Sequence, residues 1–141
     1  EIRKKNIGLI FQQFYLIPNY TAIENVMFPM QINNIEDEKA KATSILSEIG
    51  LGHRKYNLPS ELSGGEQQRV AIARAISFDP EIILADEPTG NLDEKNTELV
   101  SDLLLDYSKK KKISLILVTH NIKLVNKCDR VIKLIDGNIK L

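Results

Sequence analysis

Two carboxylates, Asp86 and Glu87, close the run Ile82-Ile83-Leu84-Ala85. Four apolar residues deliver two acids side by side to the end of a buried-type strand. One carboxylate in such a place can hold a hydrated Mg²⁺ through water, because Mg²⁺ prefers oxygen ligands and keeps its own waters. The neighbouring one, pointing the other way, can orient or deprotonate an attacking water. A strand that merely ends at an acidic turn has the same wording.

A second segment is more specific. In Leu62-Ser63-Gly64-Gly65-Glu66-Gln67-Gln68-Arg69 a serine and two glycines stand at a helix start. Backbone N–H groups exposed there, with the helix dipole behind them, favour an anion, and glycine permits an approach that a Cβ would block. Glu66 can close the cap by bonding back to the Ser63 amide. The plain alternative is a well-capped helix with a glycine turn.

The elements that must carry these groups follow from the apolar pattern. Ile7–Phe11, Ile82–Ala85 and Ser114–Val118 are short apolar runs that read as buried strands. The stretch 12–20 is a loop marked by Pro18 and Asn19, and Thr21 with Glu24 makes a capping box for a helix. Glu36–Ile49 carries Ala42, Ile45, Leu46 and Ile49 on one face, with Gly50 and Gly52 as its stop. Gln67–Phe78 continues the helix begun at Ser63, and Leu99, Val100, Leu103, Leu104 and Tyr107 form the inner stripe of the next. Asp129–Ile135 and Ile139-Lys140, joined through Asp136-Gly137-Asn138, read as a terminal hairpin. Strands alternating with helices, the middle ones apolar on both faces, specify an α/β fold with a parallel sheet covered by helices. Ligands of such sheets sit at the carboxyl ends of the strands, where this chain has Gln12, Asp86-Glu87 and His120.

Bulk composition narrows the partners. The 141 residues suit one domain. The 19 basic and 19 acidic side chains cancel, which removes any general electrostatic reason to expect nucleic acid or an anionic membrane surface. Apolar runs of about five residues fall far short of a membrane-spanning helix. Cys128 is the single cysteine, so no internal disulfide forms and a reducing cytoplasm fits. Lys109–Lys112 reads as solvated charge at a helix end.

In its motifs the chain resembles the ABC ATPases. Leu62–Arg69 matches their signature motif and Ile82–Glu87 their Walker B strand. Pro88-Thr89-Gly90-Asn91-Leu92-Asp93 looks like their D-loop, Phe11-Gln12 like their Q-loop and Thr119-His120 like their switch histidine. The resemblance implies a P-loop NTPase-type parallel sheet with an inserted helical subdomain. Residues from about 13 to 80 would form that subdomain with Q-loop and signature motif, and 81–141 the Walker B, D-loop and switch-histidine part of the core. It implies ATP and Mg²⁺ as ligands, with Asp86 holding Mg²⁺ through water, Glu87 as general base, Gln12 touching Mg²⁺ and that water, and His120 contacting the γ-phosphate. Ser63, Gly64 and Gly65, with Glu66 and Gln67 beside them, would serve the nucleotide of a second copy in a head-to-tail homodimer, and Asp93 would bridge the copies. His53 reads as a surface histidine.

The family's phosphate-binding loop, G-x-x-x-x-G-K-[ST], does not occur, and no Gly-Lys dipeptide exists in the chain. Its place in the family is upstream of the Q-loop. The start on Glu1-Ile2-Arg3, without Met, therefore reads as a truncation that leaves the core incomplete, and the fragment alone as inactive. The wording Ala85–Asp93 is similar to the branch of lipoprotein-releasing, macrolide- and peptide-export ATPases, which sit on the cytoplasmic face of the membrane and drive a permease. Phe14–Met30 would receive that permease, or simply pack the helical subdomain. The competing readings are a soluble, non-transport ABC ATPase and a non-catalytic fragment.

Overall fold

The computed structural model describes residues 5–140; Glu1 to Arg3, on which the reading of the chain's start rests, lie outside them. Three parallel strands, β1 (Ile7–Phe11), β2 (Ile82–Asp86) and β3 (Ser114–Val118), form a sheet in the order β1-β2-β3. Phe11 pairs with Asp86 and Asp86 with Val118, so the three carboxyl ends finish level. Gly8, Ile10, Ile83 and Ala85 are buried on one face, with Leu115 and Leu117 packed against the same cluster. The other face is open, with Ile116 56% and Val118 57% exposed, although the apolar runs predict cover on both sides.

The helices are α1 (Ala22–Ile32), α2 (Glu38–Glu48), α3 (Gly64–Ile76), α4 (Glu94–Lys111) and the short α5 (Ile122–Val125). Thr21 and Glu24 form the expected capping box on α1. α2 starts two residues later than its apolar pattern predicts, because Asp37 takes a left-handed conformation with φ of 56° and makes no side-chain cap. Gly50, with φ of +75°, ends α2 alone; Gly52 instead opens a short 3₁₀ turn and sits close against Ser47. α3 stops at Ile76, two residues short of Phe78.

On α4 the expected Val100, Leu103, Leu104 and Tyr107 pack against the core, Ser101, Leu105 and Ser108 join them in burial, and Leu99 faces solvent. The sequence pattern could not choose between flanking leucines, and the small Ser101 and Ser108 pack inward by bonding backbone oxygens of their own helix. α5 escaped the periodicity because it is one turn long, held by the Asn121 cap. The hairpin of β4 (Lys133–Ile135) and β5 (Asn138–Lys140) turns on Asp136 and Gly137, both at positive φ as a two-residue turn demands.

α3 joins two hydrophobic clusters. Val70 and Ala73 pack with Ala22, Val26 and Met30 of α1 and with Ala42 and Leu46 of α2. Ile72, Ala75 and Ile76 pack with Ile10, Ile83, Ala85, Val100 and Leu104 around the sheet. Residues two apart on a helix point about 200° from each other, so these stripes occupy opposite sides of one cylinder. Gly8 lets β1 approach: a Cβ built there would overlap the carbonyl oxygen of Ala75, a backbone atom that cannot swing away. Gly8→Ala is expected to cost about 1–3 kcal/mol by forcing β1 and α3 apart, read as a lower midpoint in chemical denaturation; an unchanged midpoint would contradict the close-packing account.

Candidate functional site

The level strand ends set Gln12, Glu87 and Thr119 each one residue past the last ladder pair. Glu87 turns the chain there. Its N–H donates to the Val118 carbonyl at 2.8 Å, its own carbonyl accepts from Gly90 N–H at 3.0 Å, and its φ is +46°. A non-glycine residue held left-handed at a strand end is the kind of local strain that the surrounding bonds must maintain.

The Glu87 side chain is 18% exposed and its Oε1 lies 3.3 Å from Nε2 of His120, whose ring is 98% exposed. That contact is an ion pair when the imidazole is protonated, yet Oε1 is buried and accepts no well-formed hydrogen bond. A carboxylate oxygen without a donor, facing an open imidazole, is placed to accept a proton or bind one from water. Asp86 stands exposed beside it at the end of β2.

Gln12 is held on its other flank. Its Nε2 donates to Oδ1 of Asn91 at 3.1 Å, and Nδ2 of Asn91 returns a bond to the Gln12 carbonyl at 3.2 Å. The side chain lies over Gly90, where a Cβ would come 2.8 Å from Nε2. Among the described residues no group of three or more His, Cys, Asp and Glu could hold a metal ion. The oxygens available, the Asp86 carboxylate and the Gln12 amide, form the sparse hard-donor set that suits a largely hydrated Mg²⁺.

The second group of residues surrounds the start of α3. Glu66 N–H donates to Ser63 Oγ at 3.3 Å and Ser63 N–H to Glu66 Oε2 at 2.8 Å, a closed capping box. This is the cap expected of Glu66 on the Ser63 amide, and it leaves the Ser63 N–H engaged within the chain. Arg54 Nε reaches Glu66 Oε1 at 3.3 Å. The bond from Ser63 N–H, more than the Arg54 charge, holds the Glu66 carboxyl below its usual range. Gln67 Nε2 donates to the Leu62 carbonyl at 3.1 Å and fixes the turn before the helix.

Ser63 and Gly64 are exposed, but Gly65 is buried, and a Cβ on it would overlap the side-chain amide of Asn96. Asn96 is itself held by Asp93, whose Oδ1 caps α4 by accepting from Asn96 N–H at 2.8 Å. The Asn96 side-chain Nδ2 donates to both Asp93 oxygens, at 3.0 and 2.9 Å. These bonds, the backbone one foremost, lower the Asp93 pKa.

The structure thus brings Gln12, Asp86, Glu87 and His120 to one edge, and joins Gly65 to Asp93 through Asn96. His53 lies in the Gly52–Arg54 turn. Sequence reasoning missed Gln68, which is fully buried, and Arg74, whose Nη1 and Nη2 donate to the carbonyls of Tyr15 at 2.6 Å and Phe14 at 3.1 Å. A signal existed for Gln68: it falls four residues before Ile72 on the stripe that faces the sheet, whereas Gln67 does not. Of the apolar residues between Phe14 and Met30, Met30 and Leu16 pack into the α1–α2 cluster, while Tyr15, Tyr20 and Phe28 are exposed.

A family model described as ABC transporter matches residues 1–90. The chain belongs to the ABC transporter family. The cassette is 48% identical over 139 residues to the lipoprotein-releasing system ATP-binding protein LolD of Geobacter metallireducens, covering 97% of this chain and 62% of that protein. It is 42% identical over 142 residues to the ABC transporter ATP-binding protein YbbA of Escherichia coli K12, covering 99% and 62%. Among solved structures, the ATP-binding cassette MJ0796, captured as a post-hydrolysis dimer with ADP and Pi, superposes with a TM-score of 0.87 at 40% identity, covering 99% of this chain and 63% of that one. The cassette therefore spans just under two thirds of the length of the curated relatives it matches. No helix among its described residues is long and apolar enough to cross a membrane.

The two glycines at the start of α3 should behave differently. Gly65→Ala must expel the Asn96 amide and loosen the Asp93 cap, so a loss of about 1–2 kcal/mol is expected. Gly64→Ala meets nothing nearer than Cζ of Phe14 at 3.7 Å, an ordinary contact, and should leave stability unchanged. Paired thermal melts decide it, and equal shifts for the two variants would contradict the packing of Asn96 on Gly65.

Proposed function

We propose that this chain supplies the signature, Walker B and switch-histidine parts of an ATPase that drives a membrane ABC exporter or envelope-remodelling complex. The observation that carries the reading is the Glu87 carboxylate, its Oε1 buried, lacking a donor and 3.3 Å from the open His120 imidazole. Glu87 acts as general base: it takes a proton from water as the water oxygen bonds to the γ-phosphorus and the bond to the β-phosphate oxygen breaks. His120, exposed at 98%, is free to contact the γ-phosphate from the β3 end. Asp86 and Gln12 would hold a hydrated Mg²⁺, which supplies neutralisation of the phosphate charge when bound.

Ser63 and Gly64, exposed at the start of α3, and Gly65 behind them would meet the nucleotide of a second copy arranged head to tail, with Glu66 and Gln67 stiffening that turn. The dimer formed by the MJ0796 cassette supports the presence of a second copy. Asp93 would touch the partner copy with the face of its carboxylate that Asn96 leaves open. The exposed Tyr15, Tyr20 and Phe28 after Gln12 suit contact with a transmembrane permease at the cytoplasmic face of the membrane. The lipoprotein-releasing relatives support an envelope role.

Glu87→Gln tests the base assignment in the full-length product of the gene. The variant should bind MgATP as the wild type does and lose at least about 100-fold in turnover, since the amide cannot accept the proton. Near-normal hydrolysis, measured as phosphate release, would contradict the assignment.

A further inference from the structure

We propose that Gln68 is a positioning residue, holding the Gln12 end of β1 and the Glu87 end of β2 in one fixed spacing and tying both to the start of α3. The proposal rests on the ATPase reading above. Gln68 is fully buried, and its Nε2 donates to two carbonyls, that of Pro88 at 2.6 Å and that of Phe11 at 3.3 Å. Those carbonyls belong to the residue immediately after Glu87 and the residue immediately before Gln12. One amide nitrogen therefore bridges the two strand ends, just behind the side chains that carry the chemistry.

Rigid chemistry makes the bridge effective. The Phe11 carbonyl shares a planar peptide unit with Gln12 N–H, so fixing it orients Gln12 at its root. Pro88 has its φ locked by the ring, so fixing its carbonyl steadies the turn that begins at Glu87, with φ of +46°. The direction of the amide is determined by its surroundings: reversed, it would set an oxygen against two carbonyl oxygens. Its own Oε1 is buried with no hydrogen-bond partner. A core that only needed filling at this point would be better served by an apolar side chain.

Gln68 stands five residues from Ser63 on the same helix, and Arg74 fastens that helix to the Phe14 and Tyr15 carbonyls further along the loop. A shift of α3 along its axis thus pulls on both strand ends through a single group. Signature-helix position and the placement of Glu87 and Gln12 are mechanically linked within one copy.

The test is Gln68→Met in the full-length product, which keeps the length and loses the donor. Turnover should fall about tenfold or more, as expected for a small misplacement of the reacting groups, while the Kd for MgATP stays near wild type and the variant still melts in one cooperative transition. Turnover within twofold of wild type would overturn the proposal, and so would a parallel fall in turnover, nucleotide affinity and midpoint, which marks a merely structural residue. If the Met variant does not fold, Gln68→Leu takes its place in the same comparison, and failure of both to fold assigns Gln68 to stability and overturns the proposal. A wild-type protein that does not hydrolyse ATP would instead overturn the ATPase reading, so the two failures are distinguishable.

Discussion

The contact on which the rest depends is the seating of α3 against β1, where the missing Cβ of Gly8 leaves room for the Ala75 carbonyl. With that approach made, Ile72, Ala75 and Ile76 reach the sheet cluster while Val70 and Ala73, on the opposite side, reach α1 and α2. A helix buried on both sides cannot follow one cluster without disturbing the other. The small residues Ala71, Ala73 and Ala75 keep the axis close to its neighbours, and dense interiors transmit displacement instead of absorbing it. The exposed Ser63-Gly64 start is therefore carried on an element constrained from two sides.

Around this strut, buried amides and one guanidinium organise the loop that follows β1. Asn25, fully buried, accepts from Ile17 N–H at 2.8 Å and donates to the carbonyls of Ile17, Tyr20 and Thr21 at 3.2, 2.9 and 3.1 Å. Arg74 takes the carbonyls of Phe14 and Tyr15, and Tyr15, left-handed at φ of 45°, stacks edge-on to Phe11 with ring centroids 5.4 Å apart. A loop of this length has no secondary structure to satisfy its backbone, and these side chains do so instead. The aromatic side chains are thereby presented outward from a fixed backbone.

Much of this was legible in the residues. Apolar runs located all three sheet strands, the capping pairs Thr21–Glu24 and Ser63–Glu66 located the helix starts, and Asp-Gly located the hairpin turn. Strand-end logic alone sets Gln12, Asp86, Glu87 and His120 along one edge of the sheet. What escaped has physical causes. The stripe of α4 is decided by which of several adjacent leucines meets the sheet, and serines that bond their own backbone pack inward unannounced. Asp37 begins α2 by adopting a conformation that composition does not signal. Gln68 and Gln67 are chemically identical, and only their phase relative to Ile72 separates a buried bridge from a turn brace. Gly65 reads from its motif as a contact for a partner's nucleotide; that its lack of a Cβ also accommodates Asn96 within the chain is decided by the packing of α4, which the motif does not signal.

If α3 is the shared strut of both clusters, its amides should open only when the sheet does. Residue-resolved hydrogen exchange on the folded full-length protein measures this directly. Amides from Val70 to Ala75 are expected in the slowest class together with those of Ile10 and Ile83 to Ala85, with one common opening free energy. Exchange of the α3 amides along with α1 and α2, well before those of β1 and β2, would contradict the account.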